Sequence, residues 1–409
     1  MPDALTVRPL TSANMPRFLE VDNIAFLEGP SSEEAIEWQL RYLEQDRTIG
    51  LFDGDTQVGG ASICTLRLTV PEARQVPIAG VTWVSVLPTH RRRGGLRAMM
   101  RQQLHTLHET GAEPVAGLTA SEAPIYGRFG YGIGTRALGL AIPRHANALR
   151  LPEGVDDVRV SFVEPKSVIE ACKELYERQV LTRPGMFEKP DWWYEYDVAD
   201  LAEMRGGMSN IRYLLAARDG APVGYASYRT KAGGESDGEV RVRAAYADDP
   251  AAYAALLRVV LNIDLASTVV IESLQQDSPL VSMLEDLRAA KPTLQDGLFV
   301  RLVDLDRALA ARSYTTPVDV VLDVVDEFCP WNAGRWRLSG DENGAVCART
   351  EEPADLTVGV RELGSIYLGG ITLRGLAFGG LVREHTPGAV RAVSRAFASD
   401  VAPFLPLGM

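Results

Sequence analysis

A short sequence motif occurs twice in this chain, about 165 residues apart. The first copy reads Asp53-Gly54-Asp55-Thr56-Gln57-Val58-Gly59-Gly60-Ala61-Ser62, and the second, one residue shorter, reads Asp219-Gly220-Ala221-Pro222-Val223-Gly224-Tyr225-Ala226-Ser227. In both copies an apolar strand pattern precedes the Asp-Gly turn and another extended run follows later, as in a β-hairpin within a larger sheet. The period predicts a duplicated domain rather than a solenoid, whose repeats are about 20–50 residues long. A chance match of two common turns is the alternative.

The remaining patterns extend this picture to an α/β (α+β) chain of two to three domains. With 409 residues the chain is too long for one ordinary hydrophobic core. Strand and helix patterns alternate through the first 140 residues, which predicts mixed sheets covered by helices. From about Leu294 the pattern changes: a strand at 298–303, a helix from Asp304, a hairpin around Asn343-Gly344, and a helix beginning at Thr386-Pro387.

One basic segment stands out in an acidic chain. Arg91-Arg92-Arg93-Gly94-Gly95-Leu96-Arg97 lies between a strand ending at Val86 and an amphipathic helix predicted from about Gly95 to Thr110. Glycines permit close backbone approach, and the unpaired N–H groups at a helix N-terminus attract anions, so the segment predicts a phosphate site. The second copy has Asp248-Asp249-Pro250 at the corresponding place, which predicts that it repels phosphate.

Residues 84–97, Val84-Ser85-Val86-Leu87-Pro88-Thr89-His90 followed by the basic segment, resemble the coenzyme A signature of the GNAT acetyltransferases. Arg91 and Gly94 match that signature, and Leu96 stands where its last small residue usually sits. The longer string is similar to the Eis (enhanced intracellular survival) family. So are Ser121-Glu122-Ala123-Pro124-Ile125-Tyr126-Gly127-Arg128-Phe129-Gly130-Tyr131-Gly132, Arg183-Pro184-Gly185-Met186, and the total length.

The resemblance implies two GNAT-like mixed-sheet domains, at 1–150 and 151–293, followed by a sterol-carrier-protein-like α+β domain at 294–409. It implies coenzyme A binding in the first domain alone, a homohexamer, and transfer of acetyl from acetyl-CoA to amines of aminoglycosides or other polyamines. The residues that it assigns to coenzyme A are Val84, Ser85, Val86, Arg92, Arg93, Gly94, Gly95, Leu96, Arg97, Ser121 and Glu122. Tyr126 matches the general acid of the family.

The acceptor and the base are expected at two further places. Acidic residues near the N-terminus and two tryptophans are candidates to line an amine pocket: Asp22, Glu28, Glu33, Glu34, Trp38 and Trp83. After Ala398 the chain ends in an apolar segment stiffened by two prolines, and we expect it to dock on the folded protein. We predict that the terminal carboxylate of Met409 is the general base, acting through water. In the family that this chain resembles, the residue before the C-terminus can be acidic and then helps to bind aminoglycosides. Here it is Gly408, so the preference for aminoglycosides stays open.

Charge and composition bear on whether the protein binds nucleic acid, holds a metal or spans a membrane. The net charge of −12 argues against nucleic acid as a partner. Four scattered cysteines and five histidines show no metal-ligand spacing, so no metal is expected. No long apolar run or signal pattern is present, which predicts a cytoplasmic protein without a membrane span. Two alternatives stay open: acetylation of protein lysines or N-termini, and a lipid-binding module formed by the C-terminal domain.

Overall fold

The computed structural model describes residues 5–234 and 237–406. The chain forms two compact units. The first contains residues 5–135 and Gly297–Asp400, and the second contains Arg136–Asp296 and Val401–Pro406. In the described ranges no helix is both long and apolar enough to cross a bilayer.

The strands and helices are numbered in chain order. The strands are β1 (Thr6–Pro9), β2 (Ile49–Asp53), β3 (Thr56–Val70), β4 (Arg74–Val86), β5 (Val115–Thr119), β6 (Gly132–Ile133), β7 (Arg136–Pro143), β8 (Arg159–Val163), β9 (Arg212–Arg218), β10 (Ala221–Lys231), β11 (Gly238–Ala247), β12 (Ala266–Leu274), β13 (Thr293–Asp296), β14 (Leu298–Leu302), β15 (Val318–Val325), β16 (Gly334–Asp341), β17 (Gly344–Arg349), β18 (Leu356–Gly359) and β19 (Val382–Glu384). The helices are α1 (Met15–Ala25), α2 (Glu33–Tyr42), α3 (Gly95–Thr110), α4 (Ile169–Val180), α5 (Asp191–Ala199), α6 (Pro250–Leu261), α7 (Pro279–Met283), α8 (Leu305–Ala311), α9 (Val360–Ile366), α10 (Leu373–Phe378) and α11 (Ala389–Ala396).

The first unit contains a mixed sheet of seven strands in the order β1-β2-β3-β4-β5-β14-β6. Strands β4 and β5 are parallel and are joined by α3, whose apolar residues at three-four spacing (Met99, Met100, Leu104 and Leu107) are all buried. The predicted helix limits, Gly95 and Thr110, are those observed. Gly111 ends the helix with a φ of 63°, a left-handed conformation that glycine adopts readily.

The second unit repeats this arrangement. Its sheet has the order β13-β7-β12-β11-β10-β9-β8, and β11 runs parallel to β12 with α6 between them in sequence. The two Asp-Gly motifs occupy equivalent hairpins, β2–β3 in the first sheet and β9–β10 in the second. This equivalence gives the sequence repeat a structural basis.

A third sheet, in the order β17-β16-β15-β18-β19, lies in the first unit together with α8, α9, α10 and α11. The predicted Asn343-Gly344 hairpin is observed as β16–β17. The mixed α/β (α+β) class expected from the sequence is therefore the observed one.

Two local expectations differ from the structure. The segment predicted at 298–303 is β14, which lies in the first sheet rather than with the third. An apolar pattern predicts a strand but not its partner, because pairing depends on distant residues. Helix α11 begins at Ala389, not at Thr386-Pro387, because Gly388, with a φ of 94°, precedes the first turn. The domain limits at 150 and 293 stay a prediction.

The described part of the C-terminal tail is docked in the second unit. Phe404 and Leu405 are buried. The backbone N–H of Phe404 donates to the Pro184 carbonyl at 2.9 Å, and the Ala402 N–H donates to Asp277 at 2.8 Å. Arg183 donates to the Ala402 carbonyl oxygen at 2.5 Å. The expectation of a docked tail is thus met for these residues, whereas Met409 and Gly408 lie outside the described residues.

Candidate active site

The edge of β4 that faces β5 is open along half of its length. The parallel pairing covers Ile78–Gly80 of β4 and Val115–Gly117 of β5, and residues 81–86 continue without that partner. On the other side of β4, the register with β3 shifts between Gly60 and Ser62, which forms a bulge. Trp83 lies in this bulge with a φ of 48°, a strained conformation for a residue with a side chain. Such an edge offers the backbone groups of residues 84–86 to an extended ligand.

The open edge of β4 leads to an uncapped helix N-terminus. In α3 the first intrahelical bond runs from the Ala98 N–H to the Gly94 carbonyl at 3.0 Å, so the N–H groups of residues 95–97 have no helical partner. Gly94 has a φ of 83° and no side chain to cap them. A Cβ at Gly95 would overlap the Leu51 side chain. The terminus therefore presents free N–H donors in the arrangement that suits a phosphate group.

The arginines of the basic segment differ in their contacts. Arg91 folds back, donating to the carbonyl oxygens of Val86 and Ala25, both at 3.2 Å. Arg93 is paired with Asp53 at 2.9 Å, and this hydrogen bond lowers the pKa of Asp53. Arg92 and Arg97 are exposed, and the Arg97 guanidinium lies over the Phe328 ring at 5.2 Å. Arg92 and Arg97 thus have charge available for an incoming anion.

Leu96 departs from the usual small residue. Its side chain is half-buried and packs on the core of the first sheet. Any contact with a phosphate would therefore come from its backbone N–H.

The corresponding terminus in the second unit is closed. The Asp249 carboxylate caps α6, accepting from the Ala252 N–H at 2.9 Å, and it is held by Arg218. The hydrogen bond with Arg218 is the main cause of its lowered pKa. Beside it, Tyr246 of β11 is buried and packs against the Tyr176 and Tyr225 rings, with centroids 5.5 and 5.3 Å away. A carboxylate thus caps the helix terminus that is left uncapped in the first unit.

Tyr126 lies in a 3₁₀ helix, Ala123–Phe129, which follows β5 closely and which we call the Tyr126 turn. Ser121 and Glu122, just before it, are exposed. The Tyr126 ring is half-buried and meets Tyr131 edge-on, with centroids 6.0 Å apart. Burial raises the pKa of Tyr126 to about 12, and the Glu122 charge adds to the rise. The hydroxyl is therefore protonated at neutral pH and can act as a donor.

Asp22 of α1 lies beside Ser85 on the open strand. Its Oδ1 and the Ser85 Oγ are both buried and have no hydrogen-bond partner among the described residues. Burial raises the pKa of Asp22 to about 7; the Ser85 hydroxyl, close but outside hydrogen-bonding geometry, lowers it, and Glu28 raises it. No sequence pattern predicts that Asp22 and Ser85 lie side by side, because their proximity arises from the packing of α1 on the first sheet.

The other predicted acceptor residues are spread over the same region. Trp83 is half-buried and packs against a small hydrophobic core under α1. Its ring stacks on the Tyr42 ring, with the two centroids 5.3 Å apart. Trp38 on α2 lies under the Arg41 guanidinium, 4.4 Å from the ring centroid. Glu28 is exposed, and Glu33 and Glu34 form the first turn of α2, where carboxylates complement the helix dipole.

No group of three His, Cys, Asp or Glu side chains suited to a metal ion occurs in the described part of the chain. The cysteines are unpaired, and burial raises the pKa of the half-buried Cys64 thiol to about 12.

Comparison with known proteins agrees with this geometry. Residues 6–134 and 185–302 match acetyltransferase (GNAT) domains, and residues 305–406 match the sterol carrier protein domain. We call the last region the sterol-carrier-like domain. The open strand edge and the uncapped α3 terminus both lie within the first of these matches.

Full-length relatives give the same assignment. An uncharacterized N-acetyltransferase of Streptomyces avermitilis is 46% identical, over 92% of this chain and 93% of the relative. N-acetyltransferase Eis of Mycobacterium tuberculosis is 36% identical over 86% of both chains. The crystal structure of Eis1 from Mycobacterium abscessus superposes with a TM-score of 0.83 at 33% identity, covering 99% of this chain and 100% of that one. The chain is an acetyltransferase and belongs to the Eis family of GNAT N-acetyltransferases.

Proposed function

We propose that this enzyme transfers the acetyl group of acetyl-CoA to a primary amine of an aminoglycoside or another polyamine. The observation that carries the proposal is the open edge of β4 running into the uncapped terminus of α3. The counterpart of that terminus in the second unit is closed by its own carboxylate. This difference between the two helix termini supports one cofactor site per chain, located in the first unit.

The residues present fit acetyl-CoA. The backbone groups of Val84, Ser85 and Val86 are available to pair with an amide-bearing arm. The N–H groups of residues 95–97, together with Arg92 and Arg97, suit a diphosphate. In the proposal Gly94, which has no side chain, lets the diphosphate approach the backbone closely. Arg93 contributes positive charge while it stays paired with Asp53, and Ser121 and Glu122 lie beside the cofactor.

Carboxylates near the open strand suit a cationic acceptor. Asp22 presents a buried oxygen without a partner among the described residues, and the exposed Glu28 is near enough to raise its pKa. An ammonium group placed there would gain a charge-assisted hydrogen bond. We therefore assign acceptor binding to Asp22 and Glu28, with Trp38 and Trp83 as the aromatic walls.

The reaction forms a bond between the amine nitrogen and the acetyl carbon and breaks the bond from that carbon to sulfur. An ammonium acceptor must first lose a proton, and the departing thiolate must gain one. We assign the Met409 carboxylate, acting through water, as the acceptor of the ammonium proton. We assign the Tyr126 hydroxyl as the donor of the proton that the thiolate gains. Proton transfer from a phenol of pKa about 12 to a thiolate of reference pKa about 8.5 is uphill, so a hydrogen bond from Tyr126 first stabilises the negative charge that develops on the sulfur, and the proton moves afterwards.

We also propose a homohexameric assembly, which the family resemblance implies, and a cytoplasmic location, which is expected from the sequence pattern. Acetylation of protein lysines or N-termini is the alternative acceptor class, since a peptide amine requires the same proton transfers. A panel of amines separates the two: purified enzyme and acetyl-CoA are mixed with aminoglycosides, linear polyamines and lysine peptides, and free thiol is measured. Turnover restricted to peptides would overturn the small-molecule assignment.

A lipid-binding role is the alternative from another class. The sterol-carrier-like domain has a groove of about 600 Å³, lined by Thr372, Arg374, Gly375, Ala377, Phe378, Val382, Glu384 and Val390. A fluorescent sterol titrated into the protein tests it. Saturable binding that Phe378→Ser weakens would favour this role, whereas no saturable binding would exclude it for sterols.

A further inference from the structure

Helix α9 of the sterol-carrier-like domain packs directly on β14 and β6 of the first sheet. The contact is backbone to backbone. A Cβ at Gly132 would overlap the Arg361 carbonyl oxygen and come within 2.6 Å of the Ser365 nitrogen, and a Cβ at Gly364 would overlap the Val300 carbonyl oxygen. Glycine at both positions therefore seats the helix closely, which fixes where Arg361 leaves its first turn.

The Arg361 side chain extends to the Tyr126 turn. A Cβ built on Gly127, the residue after Tyr126, would lie 2.9 Å from the Arg361 Cζ and Nη1 and 3.2 Å from its Nε. Three similar distances mean that the guanidinium presents its flat face to Gly127. Arg361 is exposed, and its side chain has no ion pair or hydrogen bond among the described residues.

A second guanidinium supports the other end of the same turn. Gly130 ends it with a φ of 85°, and a Cβ there would lie 2.9 Å from the Arg301 Cζ. Arg301 is fully buried and bound to Asp326 at 2.6 Å. Asp326 is fixed in turn by the N–H groups of Phe328 and Cys329, at 3.2 and 3.0 Å.

We propose that the sterol-carrier-like domain takes part in acetyl transfer through Arg361, a positioning residue that acts through Gly127. Together with Arg301 of β14, which Asp326 of that domain binds, Arg361 holds the Tyr126 turn between two guanidinium groups. The inference rests on the proposed role of Tyr126. A donor hydroxyl works only when it is held close to its productive position, and a displacement of about 1 Å can cost about a hundredfold in rate.

Arg361 is the residue to test. It is exposed, so we expect its removal to leave folding unaffected, whereas removal of Arg301 would leave Asp326 buried without its cation. Arg361→Ala removes the guanidinium from its contact with Gly127. Gly127→Ala disrupts the same contact from the other partner, because the new methyl group displaces the end of the flexible Arg361 side chain. We expect each to lower kcat about tenfold with the KM for acetyl-CoA unchanged, and the double variant to lose no more than either single one.

Two control variants test whether the effect comes from the face-on contact of Arg361, from its charge, or from a general loss of stability of the domain. Arg361→Lys keeps the charge but not the flat face, and we expect it to remain as slow as Arg361→Ala. Arg383→Ala removes an exposed arginine of β19 in the same domain and should leave both kcat and Tm unchanged. Full activity of Arg361→Lys, or of Arg361→Ala, would overturn the inference.

The same variants made in the Tyr126→Phe background distinguish this inference from the proposal on which it rests. We expect Arg361→Ala to have no further effect there, because the hydroxyl that it positions is gone. An equal further loss would show that Arg361 acts elsewhere and would overturn the inference alone. Wild-type turnover by Tyr126→Phe itself would overturn the role of Tyr126, and the inference with it.

Discussion

Arg218 binds both carboxylate oxygens of Asp249, at 2.7 and 3.2 Å, while that carboxylate caps the first turn of α6. The second unit thus carries an anion of its own at the helix terminus, together with the cation that neutralises it. A phosphate would have to displace a carboxylate that is already satisfied. The equivalent terminus of α3 in the first unit has only Gly94 before it.

This contrast predicts one coenzyme A per chain. Titration calorimetry should give a stoichiometry of one, and a value of two would contradict the asymmetry. Arg92→Glu should weaken acetyl-CoA binding about tenfold or more and make the residual binding less sensitive to salt, because a screened attraction is lost. Arg383→Glu makes the same charge change away from the site and should leave the affinity unchanged.

Tyr126→Phe should lower kcat about a hundredfold with little change in the KM for acetyl-CoA, because only the donor hydroxyl is removed. Since the pKa of Tyr126 is raised to about 12, ionisation of Tyr126 should not limit the wild-type rate up to about pH 10. Steady-state kinetics across pH 6–10 measure both points. A wild-type rate in the variant would reduce Tyr126 to a packing role.

Asp22→Asn should abolish a pH dependence near 7. The raised pKa means that Asp22 is a carboxylate above about pH 7 and is protonated below it, so its attraction for an ammonium is lost as the pH falls. We expect wild-type kcat/KM for a diamine to fall below pH 7 and that of Asp22→Asn to be low and flatter. Taking the ratio of the two enzymes at each pH cancels ionisation of the acceptor.

The same substitution should stabilise the fold. Because burial raises the pKa of Asp22, folding is penalised for holding the charged form, and the penalty grows as the pH rises from the unfolded value of about 4 to the folded value near 7. Asp22→Asn should therefore raise Tm more at pH 8 than at pH 5.5. An equal change in Tm at both values would contradict a pKa near 7.

The terminal carboxylate is tested by adding two glycines after Met409 or by amidating it. If Met409 supplies the base, turnover should fall about a hundredfold while Tm and acetyl-CoA affinity hold. Phe404→Ala is the matched comparison, because it removes a buried anchor of the tail and should lower Tm instead. Full activity of the amidated protein would exclude the carboxylate as the base.

What the sequence predicted well was local. The limits of α3 follow from two glycines and a three-four apolar pattern, and the hairpins follow from their Asp-Gly and Asn-Gly turns. What it did not predict depends on contacts between distant elements. The raised pKa of Asp22 arises where α1 meets β4, and the guanidinium under Gly130 comes from a strand whose sheet the pattern did not identify. The resemblance to a known family identified Tyr126 as a candidate, but it did not identify Arg361 and Arg301, which lie against the Tyr126 turn.

The place of β14 between β5 and β6 has a consequence for synthesis of the chain on the ribosome. Strand β5 ends at Thr119, and its neighbour on that side ends at Leu302. At about 5–20 residues per second, roughly 10 to 40 s pass before that neighbour emerges. During this interval the nascent chain exposes an unpaired, apolar strand edge, which is prone to intermolecular pairing. Chain release before Leu302 would leave the acetyltransferase sheet interrupted in its interior.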